Sequence, residues 1–237
     1  MDELAFTYNC PICGKEMIEG GGEATCFFCG RREQADYTCP DGHYQCEDCR
    51  LADTAELVAR VCAGTALTDP VEIANLIMKH PSVTDAGPQH HIVVAPSILT
   101  ALANSGLASF RPQRIPAVIG RTQDIPIAVC GTRGDCGACP GAGVVVSILT
   151  GANYLSDGER SLALRATAQA LEAVAEGGGP RCCKQSVYLT LETTRDFLRR
   201  ELDLVLPMQE IICPFAARNP ECKGLACRFH PQAKEKE

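Results

Sequence analysis

The sequence predicts a mainly α protein in which a small zinc-finger-like domain precedes a helical, cysteine-rich one. Three observations carry that expectation. Cysteines up to residue 50 come in short-spaced pairs, apolar residues from Leu51 onward recur at helical spacing, and strand-type alternation is scarce. The expected division is a finger domain over residues 1–50, of rubredoxin or treble-clef type, and a helical domain over residues 51–237.

The finger rests on "CPICG" (Cys10, Cys13), "CFFCG" (Cys26, Cys29) and "CPDGHYQCEDC" (Cys39, His43, Cys46, Cys49). Eight N/S donors suffice for about two tetrahedral Zn²⁺ sites, with a rubredoxin-like iron site as the alternative. Glycines after the first two pairs let backbone amides turn towards the sulfurs. Fifty residues with few large apolar side chains cannot fold on a core alone, so metal must supply folding energy. The pairing is open at this stage: sequential, or interleaved so that the last phrase divides between two metals.

The helices follow in order. "LADTAELVARVCAG" reads as a helix continuing from the last finger ligand, with Cys62 as a small buried hydrophobe. "DPVEIANLIMKH" has Asp69 as N-cap and Pro70 at the first position, and "APSILTALANSG" repeats the device with Pro96 and stops at Gly106. "GAGVVVSILTG" reads as a short buried helix, although its valine run also suits a strand. "SDGERSLALRATAQALEAVAEGGG" is a long helix with a glycine stop. "CCKQSVYLTLETTRDFLRRELD" places Val187, Leu191, Leu198 and Leu202 on one face.

Charge and composition exclude several classes. With 22 basic against 29 acidic residues the chain carries −7, the wrong sign for a nucleic-acid footprint. No apolar run is long enough for a membrane span, and "MDELAFTYNC" lacks the form of a signal peptide, so the expected location is the cytoplasm. Sixteen cysteines in a reducing compartment point to metal rather than disulfides.

Nine of those cysteines lie in the helical domain, and all but Cys62 fall in three loops: Cys130, Cys136 and Cys139; Cys182 and Cys183; Cys213, Cys222 and Cys227. None shows the doubled pairing of a finger. Thiolates drawn from separate loops suit an iron–sulfur cluster, expected as one [4Fe–4S] cluster or two. A third zinc is the alternative on spacing. "GPRCCK" reads as a helix start that favours thiolates, since the macrodipole, Arg181 and Lys184 all stabilise negative sulfur. "GPQHH" offers His90 and His91 as ligands or as acid and base near neutral pH. His90, His91 and Cys183, as nucleophile, are the candidate catalytic residues. The glycine-rich "GTRGDCGACPGAG" could cradle phosphate at a helix start, but it fits neither the P-loop nor the dinucleotide fingerprint.

Together "GPQHH", "CGTRGDCGACPGAG", "GGPRCCK" and "CPFAARNPECKGLACRF" resemble an uncharacterised domain-of-unknown-function family of methanogenic archaea and other anaerobes. Its members occur beside, or fused to, SAM-dependent methyltransferase domains. The resemblance runs from about Cys39 to about Phe229. It implies a metal–cysteine domain of anaerobic metabolism, with Cys130, Cys136, Cys182, Cys183, Cys213, Cys222 and Cys227 as the family-like cysteines. Cys139 falls where the pattern expects a small residue. A fainter similarity, to Fe–S dehydratases and desulfidases, lies in "GDCGACPGAG" and "CPFAARN".

Three functions are therefore expected in order. The first is an iron–sulfur and zinc protein handling electrons or sulfur for a protein partner, either a SAM-dependent methyltransferase or a redox enzyme. The second is an open-site [4Fe–4S] lyase, dehydratase or desulfidase acting on a small amino or hydroxy acid. The third is a zinc-finger adaptor or regulator without iron.

Overall fold

Residues 18–38 fold as two nested antiparallel pairs, and that nesting decides how the finger is wired. β1 (Ile18–Glu19) pairs with β4 (Tyr37–Thr38), and inside them β2 (Glu23–Thr25) pairs with β3 (Arg32–Gln34). The chain runs out along β1 and β2, turns at Cys26–Cys29, and returns along β3 and β4. The first and third ligand pairs therefore meet at the base, and the second and fourth meet at the tip. The structure, a computed structural model, describes residues 8–236; the signal-peptide reading falls largely on residues 1–7 and lies outside them.

The remainder of the chain is helical, as expected. α1 (Glu47–Leu51) stops after one turn, Ala52 is extended, and α2 (Thr54–Gly64) starts afresh. One continuous helix was the expectation; the break arises because Asp53 caps α2, accepting from the Glu56 N–H at 2.8 Å. α3 (Pro70–Met78) carries the predicted Asp69 cap, which accepts from the Val71 N–H at 2.7 Å. The other Asp69 oxygen accepts from the Gln209 N–H, so the cap also anchors the chain beyond the last helix.

α4 (Val94–Asn104) begins two residues before Pro96, because a 3₁₀ turn over Pro88–Ile92 feeds directly into it. Residues 94–102 are all buried, the mark of a helix at the centre of a domain. Two short helices, α5 (Ile115–Ile119) and α6 (Val129–Thr132), escaped the sequence reading. α7 (Pro140–Thr150), α8 (Gly158–Glu176) and α9 (Cys183–Leu202) complete the domain.

"GAG" turns out to be a packing device inside α7 rather than an anion cradle. A Cβ on Gly141 would lie 2.9 Å from the Val94 Cβ, and one on Gly143 would lie 2.9 Å from the Ala163 carbonyl oxygen. The two glycines let α4 and α8 lie against α7 at close range. α8 in turn buries only Ala166 and Ala170, so it covers the core with small side chains. Tyr188 of α9 is fully buried and donates its hydroxyl to Asn75 of α3 at 2.6 Å. Val187, Leu191 and Leu198 are buried as predicted, with Leu202 at the edge.

The tip of the finger shares this core: Cys26, Phe28, Cys46 and Cys49 are continuous with Leu57, Val61 and Ile77. Phe28 meets His80 edge to face at 4.8 Å. His80 sits 2.9 Å from the Cys49 carbonyl through Nε2, while its Nδ1 accepts from the Ser82 N–H. Burial holds its pKa below the usual histidine range. No helix among the described residues is long and apolar enough to cross a membrane.

Candidate metal centres and the cavity beside them

Cys10, Cys13, Cys39 and His43 form one group, and Cys26, Cys29, Cys46 and Cys49 a second, with all ligand atoms in each group within 4.8 Å of one another. The wiring is interleaved. Sulfur bound to zinc at about 2.3 Å in a tetrahedron would leave sulfurs about 3.8 Å apart. Cys13 and Cys39 are separated by 3.4 Å and Cys29 and Cys46 by 3.7 Å. His43 Nδ1 lies 3.8 Å from the Cys10 sulfur and 3.6 Å from that of Cys39. These are the edges of a tetrahedron around one ion, so the residues fit a metal in each group.

Backbone amides complete both centres. The Asp41 N–H donates to the Cys39 sulfur and the Cys46 N–H to that of Cys26, each at 3.4 Å. The Cys26 thiol is brought down to about 4 by its contact with Cys49, against burial, with help from the amides of Cys29 and Cys46. Burial opposes ionisation of Cys39, yet the Asp41 amide and the neighbouring thiols bring it down to about 7. Gly14 and Gly30, at φ +76° and +71°, make the knuckle turns that the spacing implied. The outer group leaves Cys13 exposed, whereas the inner group is nearly enclosed. All donors face one another, which leaves no open position for chemistry.

The helical domain arranges its cysteines differently. Cys182, Cys213, Cys222 and Cys227 line a narrow cleft with Tyr188, Asn219 and Phe229. Asn219 donates through Nδ2 to the Cys182 sulfur at 3.7 Å, and the Gly224 N–H donates to that of Cys222 at 3.4 Å. Burial pushes the Cys213 and Cys227 thiols up. Among the described residues these donor atoms are not drawn as tight as the two finger groups.

Beside the cleft, and sharing Cys182 with it, opens a cavity of about 440 Å³. Cys130, Cys136, Cys183, His90 and His91 all line it. The loop between α8 and α9 forms one wall, and Leu171 and Val174 of α8 supply apolar surface. Thus the predicted residues of the helical domain do come together, but as two sets hinged on Cys182.

Both histidines are fixed through Nδ1. That atom of His90 donates to the Gly87 carbonyl at 3.2 Å, and that of His91 to the Ile125 carbonyl at 3.1 Å. Each ring therefore presents Nε2 as its lone-pair atom, the tautomer a ligand or base requires. His90 Nε2 is buried with no hydrogen-bond partner. Burial, with Lys184 nearby, brings the His90 pKa down to about 3, and burial also lowers that of His91. A Cβ on Gly137 would lie 2.4 Å from His91 Nε2. Gly137→Ala should therefore displace the His91 ring and cost about 1–3 kcal/mol, read by thermal melting and by the His91 ring resonances.

The thiolate expectation for "GPRCCK" is corrected for Cys183. Burial pushes its thiol up, and the Gly87 N–H and Arg181 only partly oppose that. The lowered thiol is Cys136, brought down to about 6 chiefly by the Cys139 thiol, against burial. Cys139 is itself fully buried, 3.7 Å from the Thr190 hydroxyl, and does not line the cavity. Cys62 is the buried hydrophobe expected, with its thiol pushed up to about 12 by burial.

Lys184 was read as a charge near the thiols, yet it is a buried tie, only 1% exposed. Its ammonium donates to the Asp85 carbonyl at 2.8 Å and to that of Thr84 at 3.5 Å, pairs with the Asp85 carboxylate at 3.2 Å, and lies over the Phe215 ring. One side chain thereby joins the histidine loop, the start of α9 and the loop after Cys213. The Asp85 carboxylate is partly exposed, so the carbonyls matter more than the ion pair. Lys184→Met should cost about 1–3 kcal/mol and loosen the histidine loop, seen as a lower Tm and faster amide exchange over residues 84–91.

Residues 58–230 match the family model described as a family of unknown function, DUF5714. The chain belongs to the DUF5714 family. The match starts at Val58 rather than near Cys39, so the finger phrase lies outside it, while His90, His91 and all nine cysteines of the second domain lie within. The cleft and the cavity thus lie within the matched region, and the two finger groups precede it. No curated protein and no solved structure matches the chain.

Proposed function

We propose that this DUF5714 chain is an iron–sulfur and zinc metalloprotein that handles electrons or sulfur for a partner enzyme. One observation carries the reading: Cys182 belongs both to a four-thiol cleft and to an open cavity containing three further thiols and two histidines. A [4Fe–4S] cluster would be held by Cys182, Cys213, Cys222 and Cys227, and would supply one-electron chemistry next to that cavity. Cys130, Cys136 and Cys183 then remain as accessible sulfur, with Cys136 closest to the thiolate form. The finger groups would carry structural zinc, and the partner would be a redox enzyme or a SAM-dependent methyltransferase acting in the cytoplasm. The strands among the described residues form only two-stranded pairs, so methyl transfer would belong to that partner.

A second reading is favoured by the unpartnered His90 Nε2. In an open-site lyase or desulfidase, a substrate would enter the cavity and His90 or His91 would hold or move its proton at Nε2. The visible spectrum of the anaerobically reconstituted full chain tests both. Charge-transfer absorption that bleaches with dithionite and returns on reoxidation is the expected result. Colour that responds to a small amino or hydroxy acid, and not to reductant, favours the lyase. A colourless chain that holds zinc alone overturns both and leaves the adaptor reading.

A further inference from the structure

Two thiols share the turn that opens α7. Cys136 and Cys139 stand at its ends, and the Cys139 N–H donates to the Cys136 carbonyl at 2.9 Å. A turn closed in this way holds its end Cα atoms within about 7 Å, and a disulfide bridges about 4.4–6.8 Å. The two thiols interact directly, since each is the largest influence on the ionisation of the other.

Their surroundings are unequal. Cys136 is partly exposed and lines the 440 Å³ cavity, whereas Cys139 is fully buried, 3.7 Å from the Thr190 hydroxyl. The Cys139 thiol, then the Ala138 amide and the Ser186 hydroxyl, favour a thiolate on Cys136 against burial. Cys139 is kept protonated chiefly by the Cys136 sulfur and then by its own burial. One thiol is thus placed to attack and the other to wait. Once the Cys136 sulfur carries no charge, the first of those restraints on Cys139 is gone, and its place at the start of α7 favours its thiolate.

We propose that Cys136 and Cys139 form a redox dithiol that exchanges with a low-molecular-weight disulfide entering the cavity. The Cys136 thiolate attacks one sulfur of the incoming disulfide, whose S–S bond breaks; a mixed disulfide forms and one thiolate leaves. Cys139 gives its proton to that thiolate and attacks the Cys136 sulfur, which expels the second thiolate. The incoming disulfide gains two electrons and the cysteine pair loses two. A small dithiol, taking the same steps in reverse, resets the pair. The recess around Cys136 admits a small disulfide and holds the body of a folded protein at a distance. Neither cysteine belongs to the four-thiol cleft, so the proposal stands with or without a cluster there.

The tryptic segment 134–160 contains these two cysteines and no other, which makes the test direct. The metal-loaded full chain is exposed anaerobically to bis(2-hydroxyethyl) disulfide, quenched with acid and alkylated, and the segment is weighed while iron is assayed. The segment should lose two hydrogens and resist alkylation with iron retained, and dithiothreitol should restore both thiols. Cys139→Ala should stop at a mixed disulfide on Cys136, formed roughly tenfold or more faster than one on Cys183. A wild-type segment that stays unmodified, or that stops at the mixed disulfide, overturns the proposal. So does oxidation that advances only in step with iron loss, since the pair would then be cluster ligands. Oxidation of the pair in a chain that holds no cluster supports the proposal while the cluster reading fails separately. The deciding mass is that of the wild-type chain, so the test holds even where Cys139→Ala does not fold.

Discussion

Cys49→Ser is expected to release the metal of the inner finger group and to destabilise the helical domain along with it. A structural zinc site contributes about 10–16 kcal/mol, and this ligand is fully buried, so water cannot replace it. The damage should spread, because Cys46, Cys49 and Phe28 belong to the same core as Leu57 and Ile77. Cys13→Ser should do much less, since Cys13 is exposed and water can take its place at the rim of the outer group. Zinc retention and thermal melting of the two variants measure the contrast. Equal effects would contradict the unequal burial of the two centres.

The second large effect is expected at the cleft. Cys213→Ala and Cys222→Ala should each abolish iron binding while keeping the full zinc complement. The two thiols come from one loop, but Cys182 reaches them from the start of α9, so the cluster depends on that helix start being in place. Cys130→Ala should leave the cluster intact, because Cys130 lines only the open cavity. Iron and sulfide analysis of the three variants decides this. Iron loss in Cys130→Ala as complete as in Cys222→Ala would move the cluster into the cavity.

Much of this organisation is legible in the sequence, and the illegible part has physical causes. α3 is readable because Asp69 and Pro70 mark its start, and α9 because its apolar face repeats at helical spacing. The interleaving of the finger is not. It depends on strands two or three residues long whose positions are exposed or only partly buried, so no hydrophobic alternation announces them. The start of α4 is blurred by the 3₁₀ turn running into it, and Pro116 hides α5. "GPRCCK" announced a helix start correctly, but burial, which no local pattern encodes, reverses the expected ionisation of Cys183. Likewise, three cysteine loops were visible as loops. Their sorting into a cleft and a cavity goes with the packing of α8 and α9, with Lys184 tying the histidine loop to the start of α9 and to the loop after Cys213. Gly137 was read only as part of a glycine-rich phrase, and its role as the floor beneath His91 required the fold.

The central claim is that finger and cleft hold different kinds of metal in separate sets of residues. The most direct measurement is iron, zinc and acid-labile sulfide per chain after anaerobic preparation with all three supplied. The account expects about two zincs, with about four irons and about four sulfides. Three zincs with no sulfide would contradict it, placing a third single ion among Cys182, Cys213, Cys222 and Cys227.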